Sequence, residues 1–255
     1  MRKVNRQGIG RSDNRSKFEI NLEKEYHQLL ENSKKYKLND RSKTILFSSR
    51  QTITRILYYN EIYKLILGKP GVICEFGVEY GATLSLLGKL RGIYEPYNFS
   101  RKIIGFDTFS GFTKKIIGDE KKIKWKKGDF SVEKKYEVFL EKILSFDEKK
   151  SPVSHKKKFE LVKGDASKTF SKYLNKNKQT LVSLAIFDMD LYQPTKVCLK
   201  KLIPRLFKGS VIVFDELNYP DFPGETLALL ESFDLKKIKL KSFHGQTFAS
   251  YFIVE

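Results

Sequence analysis

Cysteine is nearly absent from this chain of 255 residues, and the two that occur, Cys74 and Cys198, have no metal-ligand spacing. Both lie in apolar surroundings, which argues against a disulfide framework and predicts buried thiols in a reducing compartment. No run approaches the roughly twenty apolar residues that cross a bilayer, so no membrane span is expected. The opening stretch, MRKVNRQGIGRSDNRSK, is basic and polar and lacks the apolar segment of a secretory signal. A cytoplasmic protein is the expectation. Also missing are zinc-finger spacing, an aromatic strand of the RNA-binding kind and the G-x-G-x-x-G dinucleotide signature. There is no low-complexity segment, and the echo of KGDFS in KGDAS has unlike flanks, so it is not a repeat.

What is present is an ordinary globular composition, 40% hydrophobic and 13% aromatic, long enough for one large α/β domain with a proper core. The net charge is +19, from 49 Lys and Arg against 30 Asp and Glu. Such a balance suits nucleic acid, an anionic membrane surface or an anionic small substrate. The lysines, however, are scattered among acids, as in TKKIIGDEKKIKWKKGD, which also fits a merely solvated surface. No nucleic-acid partner is expected, and an anionic acceptor stays open.

Residues 1–16 read as a basic flexible tail, 17–69 as a helical cap and 70–255 as the main domain. Within the cap, Ile20, Leu22, Tyr26, Leu29 and Leu30 recur at helical spacing. SSRQTITRILYYNEIYKLILGKPG predicts a second helix, opened by Ser or Thr and stopped at Gly68 and Pro70. Its aromatics, lying outside the parallel core, predict a homodimer surface. After Pro70, strand-like runs alternate with helices: GVICEFG, KIIGFD, KFELVKGD, LVSLAIFDMD and SVIVFDE are the runs, with amphipathic segments such as QPTKVCLKKLIPRLFKG between them. This predicts an α/β, doubly wound, mainly parallel sheet. KKIKLKSFHGQTFASYFIVE alternates on both sides of His244-Gly245, as a C-terminal antiparallel hairpin would.

In such sheets ligands sit beyond the carboxyl ends of strands, and acids occur at each of these ends. Glu75 closes the first strand, and Gly77 and Gly81 form the turn into the next helix, where bare backbone can approach a ligand. An acid just before those glycines suits a cationic amine. Asp107 ends the second strand, where a carboxylate can take two ribose hydroxyls. Asp165 and Ala166 follow the third, placed to read an adenine edge. Each acid is alternatively a cap on the following helix; three in order favour a nucleoside ligand. Two further strands end in Asp188-Met189-Asp190 and Asp215-Glu216.

Together CEFGVEYGATLSLL, IIGFDTFSGF, KGDASKTF, FDMDLYQPT and VIVFDELNYPDFPGE resemble class I S-adenosylmethionine-dependent methyltransferases. The resemblance is to the macrocin O-methyltransferase-like (TylF-type) group, which includes deoxysugar O-methyltransferases, and covers about residues 70–255. It implies a seven-stranded Rossmann-like sheet and S-adenosylmethionine contacts from Glu75, Gly77, Gly81, Thr83, Asp107, Thr108, Phe109, Asp165, Ala166, Ser167 and Asp188. It further implies Mg²⁺ held by Asp188, Asp215 and Glu216, a set of oxygen donors suited to that hard cation. Glu216 departs from the group, which more often has a second aspartate there. Asp190 is either a fourth ligand or the general base, alongside Asp188 in the catalytic set. The implied reaction is methylation of a hydroxyl on a small molecule, a deoxysugar or nucleotide-linked sugar. Mg²⁺ would lower the hydroxyl's pKa and a carboxylate would take its proton.

Two alternatives compete: a D-x-D glycosyltransferase, which leaves Glu75 and Asp107 unexplained, and a basic RNA methyltransferase, which lacks the expected proline-and-aromatic motif. RGIYEPYNFSRK at 91–102 reads either as a sugar or phosphate contact or as a solvated loop, and Trp125 as an anchor or a cover over the site. His244 reads as structural, and His27 and His155 as solvated.

Overall fold

A computed structural model describes residues 16–113, 127–245 and 249–255. Trp125 and residues 1–15 of the expected tail lie outside the described residues. Two compact units divide at Ile53/Thr54. The first contains α1 (Lys17–Asn32) and α2 (Asp40–Leu46). Asn39 opens α2 by accepting a hydrogen bond from the Ser42 amide at 2.8 Å.

The second unit is a seven-stranded sheet with helices on both faces. Its strands are β1 (Val72–Phe76), β2 (Ile103–Asp107), β3 (Phe159–Lys163), β4 (Val182–Phe187), β5 (Val211–Phe214), β6 (Lys241–Ser242) and β7 (Ser250–Ile253), ordered β3-β2-β1-β4-β5-β7-β6. The first five run parallel; β7 is antiparallel to β5, and β6 to β7, as the C-terminal alternation predicts. Strand order reverses between β1 and β4, and the crevice for a ligand belongs beyond their carboxyl ends.

Period-two alternation sorts the core onto two faces. Ile73, Ile103, Leu184, Ile186, Val211 and Val213 pack with α3 (Arg50–Lys64), α4 (Ala82–Tyr94) and α5 (Tyr136–Lys149). Cys74, Phe76, Ile104, Phe106, Phe187 and Phe214 pack with α6 (Ala166–Lys176), α7 (Tyr192–Leu202) and α8 (Gly224–Ser232). Both cysteines are buried and free, as expected.

α3 departs from its sequence assignment. Ser49 opens it, accepting from the Thr52 amide at 3.0 Å, but Tyr58, Tyr59, Ile62 and Tyr63 are buried in the sheet unit's own core. The helix belongs mostly with the sheet rather than with a separate cap, and its aromatic face is not an open dimer surface. The 91–102 stretch is corrected too. It precedes β2, so it lies at the amino ends of the strands, opposite the ligand crevice, and its arginines are structural. Arg101 is fully buried, bonded to Glu95 at 2.9 Å and donating to Ser183 Oγ and the carbonyls of Gly71, Ile66 and Lys69. Arg91 pairs with Glu148 at 3.3 Å. His155 and His244 are exposed; His27 is half-buried rather than solvated.

Candidate active site

Four phenylalanines set the strand tips in line. Phe106, Phe76, Phe187 and Phe214 are register partners across β2, β1, β4 and β5. Their rings stack in sequence at 5.2, 4.9 and 5.3 Å with interplanar angles of 16°. Each such pair contributes about 0.5–1.5 kcal/mol beyond its buried area. The next residues, Asp107, Gly77, Asp188 and Asp215, therefore form one row, and alternation turns their side chains toward the face that carries α3 and α4.

Asp188 and Asp215 converge on one cation that the sequence reading missed. Arg55 of α3 donates from Nη2 to Asp188 Oδ2 at 3.2 Å and from Nη1 to Asp215 Oδ1 at 3.1 Å. Its Nε and Nη2 also donate to Thr83 Oγ1 at 3.2 and 3.0 Å. The only signal in the sequence was an arginine amid the aromatics of TRILYY.

The remaining acids face another way. The Glu216 carboxyl is hydrogen-bonded to Asp190, and burial, with Asp190 beside it, pushes its pKa far up. Its Oε2 is buried with no hydrogen-bond partner. Asp190 is buried and holds a φ of 62°. Between the two strand ends stands Glu225, which the sequence reading also missed. Fully buried, it accepts from the amides of Met189 (3.0 Å), Asp190 (3.4 Å) and Glu216 (3.3 Å). Burial first, then the charge of Asp188, raises its pKa. It clamps the ends of β4 and β5 together.

At the tip of β1, Glu75 is 2% exposed and its Oε2 has no hydrogen-bond partner. Burial and then Asp188 raise its pKa. A buried carboxylate oxygen left unpaired is costly, and a cationic ligand group would offset that cost. Gly77 and Gly81 have steric reasons of their own. At Gly77 (φ 95°) a Cβ would stand 1.8 Å from the Asp188 carbonyl oxygen. At Gly81 (φ 75°), the residue before α4, it would meet Leu140 at 2.6 Å.

Asp107 takes the amides of Val78 (2.6 Å), Glu79 (2.9 Å) and Phe109 (2.5 Å), so it shapes the β1–α4 turn. Thr108 closes its own turn onto Gly111, and Phe109 is buried with a φ of 54°. Asp165 caps α6, accepting from the Ser167 amide at 3.0 Å and its hydroxyl at 2.6 Å; Ala166 is buried beside it. The helix-cap alternative thus describes Asp165. Among the described residues, no three His, Cys, Asp or Glu side chains already form a metal cage.

No protein-family model and no curated protein matches the chain. Among solved structures, one described as the calicheamicin methyltransferase CalS11 superposes with a TM-score of 0.86 at 36% identity, covering 94% of this chain and 93% of that one. The chain belongs to the class I S-adenosylmethionine-dependent O-methyltransferases. A second, apo structure of CalS11, described as a TDP-rhamnose 3'-O-methyltransferase, gives 0.80 at 34% identity over 94% and 95% of the two chains. The O-methyltransferase NovP shares the fold, with a TM-score of 0.63 at 14% identity over 92% and 98%. The D-x-D glycosyltransferase alternative is overturned.

Above the strand tips of this methyltransferase lies a small aromatic cluster. Phe112, Leu191 and Phe222 are buried together, with Phe130 and Tyr219 against them. They come from the loops after β2, β4 and β5, so no single sequence window displays them. Among the described residues no helix is long and apolar enough to cross a membrane.

Proposed function

We propose that this enzyme transfers the methyl group of S-adenosylmethionine to a hydroxyl of a nucleotide-linked deoxysugar, with Mg²⁺ at the ends of β4 and β5. The observation that carries the reading is the convergence of Asp188 and Asp215 on one positive group at the tips of neighbouring strands, in a chain over a third identical to CalS11. Two carboxylates that share one guanidinium are near enough to share a metal ion, and their oxygen donors fit Mg²⁺. In this reading Asp188, Asp215 and Glu216 would hold the ion. When bound, Mg²⁺ would supply positive charge that makes an acceptor hydroxyl more acidic.

The protein's own residues carry the rest. Glu75 takes the amino group of the cofactor; Asp107, through the lone pairs its three amides leave open, takes the ribose; Asp165 to Ser167 border the adenine. Gly77, Gly81, Thr83, Thr108 and Phe109 shape that side. Asp190 accepts the hydroxyl proton as oxygen bonds to the methyl carbon and the carbon–sulfur bond breaks. Phe130 and Tyr219, backed by the buried Phe112 and Phe222, offer an aromatic wall for a sugar ring. The basic surface suits the diphosphate of such an acceptor. A homodimer remains part of the proposal, its support now the exposed Phe18, Leu22 and Leu29 of α1.

The test is incubation with S-adenosylmethionine, Mg²⁺ and a panel of nucleotide-linked deoxysugars including TDP-rhamnose. A product heavier by one methyl group is expected. Turnover of none of them by protein that binds the cofactor would overturn the acceptor class.

A further inference from the structure

The guanidinium of Arg55 is held from behind as well as from in front. Tyr59, fully buried one helical turn further along α3, lies beneath it at 5.2 Å. Thr83, buried in the first turn of α4, accepts two of its N–H groups. The two remaining contacts go forward to Asp188 and Asp215, and salt-bridge geometry at 3.2 and 3.1 Å makes both charge-assisted. Tyr59 offers the guanidinium the face of its ring and Thr83 a hydroxyl oxygen, neither of them a charge that calls for a cation. What needs it is the acid pair: Asp188, Asp215, Asp190, Glu216 and Glu225 gather at two strand ends, and Arg55 is the cation bonded to the first two of them.

We infer that Arg55 is the resident counter-cation of Asp188 and Asp215 and competes with a divalent ion for them. The inference rests on the proposed Mg²⁺ site and deepens it. The carboxylate oxygens that face Arg55 are those the ion would use, and a guanidinium and a divalent cation a few ångströms apart repel one another. Metal entry therefore displaces Arg55 from at least one carboxylate. The same side chain keeps the acid pair together and folded when no ion is bound, which an unpaired cluster would resist. Arg55 thus lowers metal affinity while stabilising the metal-free protein.

Direct binding of Mn²⁺, followed by its electron paramagnetic resonance signal without cofactor or acceptor, tests this in the wild type, Arg55→Gln and Arg55→Lys. Thermal melting without metal is measured alongside. Arg55→Gln should bind Mn²⁺ at least tenfold more tightly and melt at a lower temperature, with the deficit closed by added Mn²⁺. Arg55→Lys, a cation without the planar fork, should fall between the two. Unchanged or weaker Mn²⁺ binding in a variant that still binds S-adenosylhomocysteine overturns the inference and leaves the metal site standing. Absence of Mn²⁺ binding in all three proteins overturns both. If Arg55→Gln does not fold, Arg55→Lys decides by the same criterion.

Discussion

The ring of Phe187 stacks on that of Phe214 at 5.3 Å, and the residue after each, Asp188 and Asp215, reaches the same guanidinium. Core packing and site chemistry are one residue apart. The strand register that aligns the rings also aligns the acids, so a one-residue slip of β5 against β4 would turn Asp215 to the opposite face. The site is therefore specified by the apolar residues beneath it as much as by its own carboxylates.

Gly77→Ala should break that alignment. The added methyl would meet the Asp188 carbonyl oxygen at 1.8 Å, and that backbone cannot give way without parting β1 from β4. Overpacking of this kind costs about 1–3 kcal/mol or more, and the positive φ adds strain. A lower urea midpoint together with lost S-adenosylhomocysteine binding is expected; a variant with wild-type values of both would show that the strand tips are not so rigid.

Arg101→Ala should lower stability without touching cofactor affinity in the protein that remains folded. The side chain ties the exit of α3 to the starts of β1 and β4, at the end of the sheet away from the site. Removing it breaks a buried ion pair, a loss of about 3–5 kcal/mol, and takes a donor from three carbonyls, although Glu95 keeps Tyr63 and Asn98. Chemical denaturation measures the loss. Weakened cofactor binding with unchanged stability would restore a ligand role to the 91–102 stretch.

Glu75→Gln should weaken binding of S-adenosylhomocysteine about ten- to a hundredfold, the equivalent of one charge-assisted hydrogen bond. The pH dependence gives the sign of the effect. Burial, then Asp188, raises the Glu75 pKa, so the free enzyme keeps this carboxyl protonated where an ordinary glutamate is ionised. A cationic amine needs the carboxylate, so binding expels the proton and becomes stronger as pH rises toward that raised pKa. Calorimetry between about pH 5 and 7 should show rising affinity in the wild type and a flat profile in Glu75→Gln. A flat wild-type profile would separate Glu75 from the amine.

Light scattering at micromolar concentration should give a dimer mass, and Phe18→Ser with Leu29→Ser should shift it to a monomer. Both side chains are exposed on α1, and such residues clustered on one helix suit a partner surface. A monomeric wild type would leave them simply solvated.

The sheet was legible because its five parallel strands are short apolar runs punctuated by acid or glycine, and Ile73, Cys74, Glu75 and Phe76 alternate as the faces require. The acids at the strand ends were legible for the same reason. Arg55 was not, because nothing in a one-dimensional pattern says which residue of an amphipathic helix reaches two strand ends more than a hundred residues away. Glu225 was hidden likewise: its three amide partners belong to two other loops. Asp107 and Asp165 show the converse. Sequence placed both at strand ends, and their carboxylates accept neighbouring backbone amides, a local demand that an acid at such a turn satisfies.

Metal dependence separates the two ways of reading the opening pair of acids. If Asp188 and Asp215 hold Mg²⁺, excess chelator should abolish turnover and leave S-adenosylhomocysteine binding nearly intact, because Glu75 and Asp107 stand at β1 and β2. Asp188→Asn and Asp215→Asn keep the size and one oxygen acceptor for Arg55 while removing charge, so each should need far more Mg²⁺ or fail. Glu216 distinguishes a ligand from a partner. As a ligand, its change to Gln raises the Mg²⁺ requirement. As only the hydrogen-bond partner of Asp190, it leaves that requirement alone and moves the pH–rate profile instead, since the acid bonded to Asp190 is gone. Asp190→Asn should cost rate without costing metal affinity if Asp190 takes the proton. Full activity in excess chelator would remove the ion from the mechanism, and Arg55 would then be the permanent cation of the acid pair.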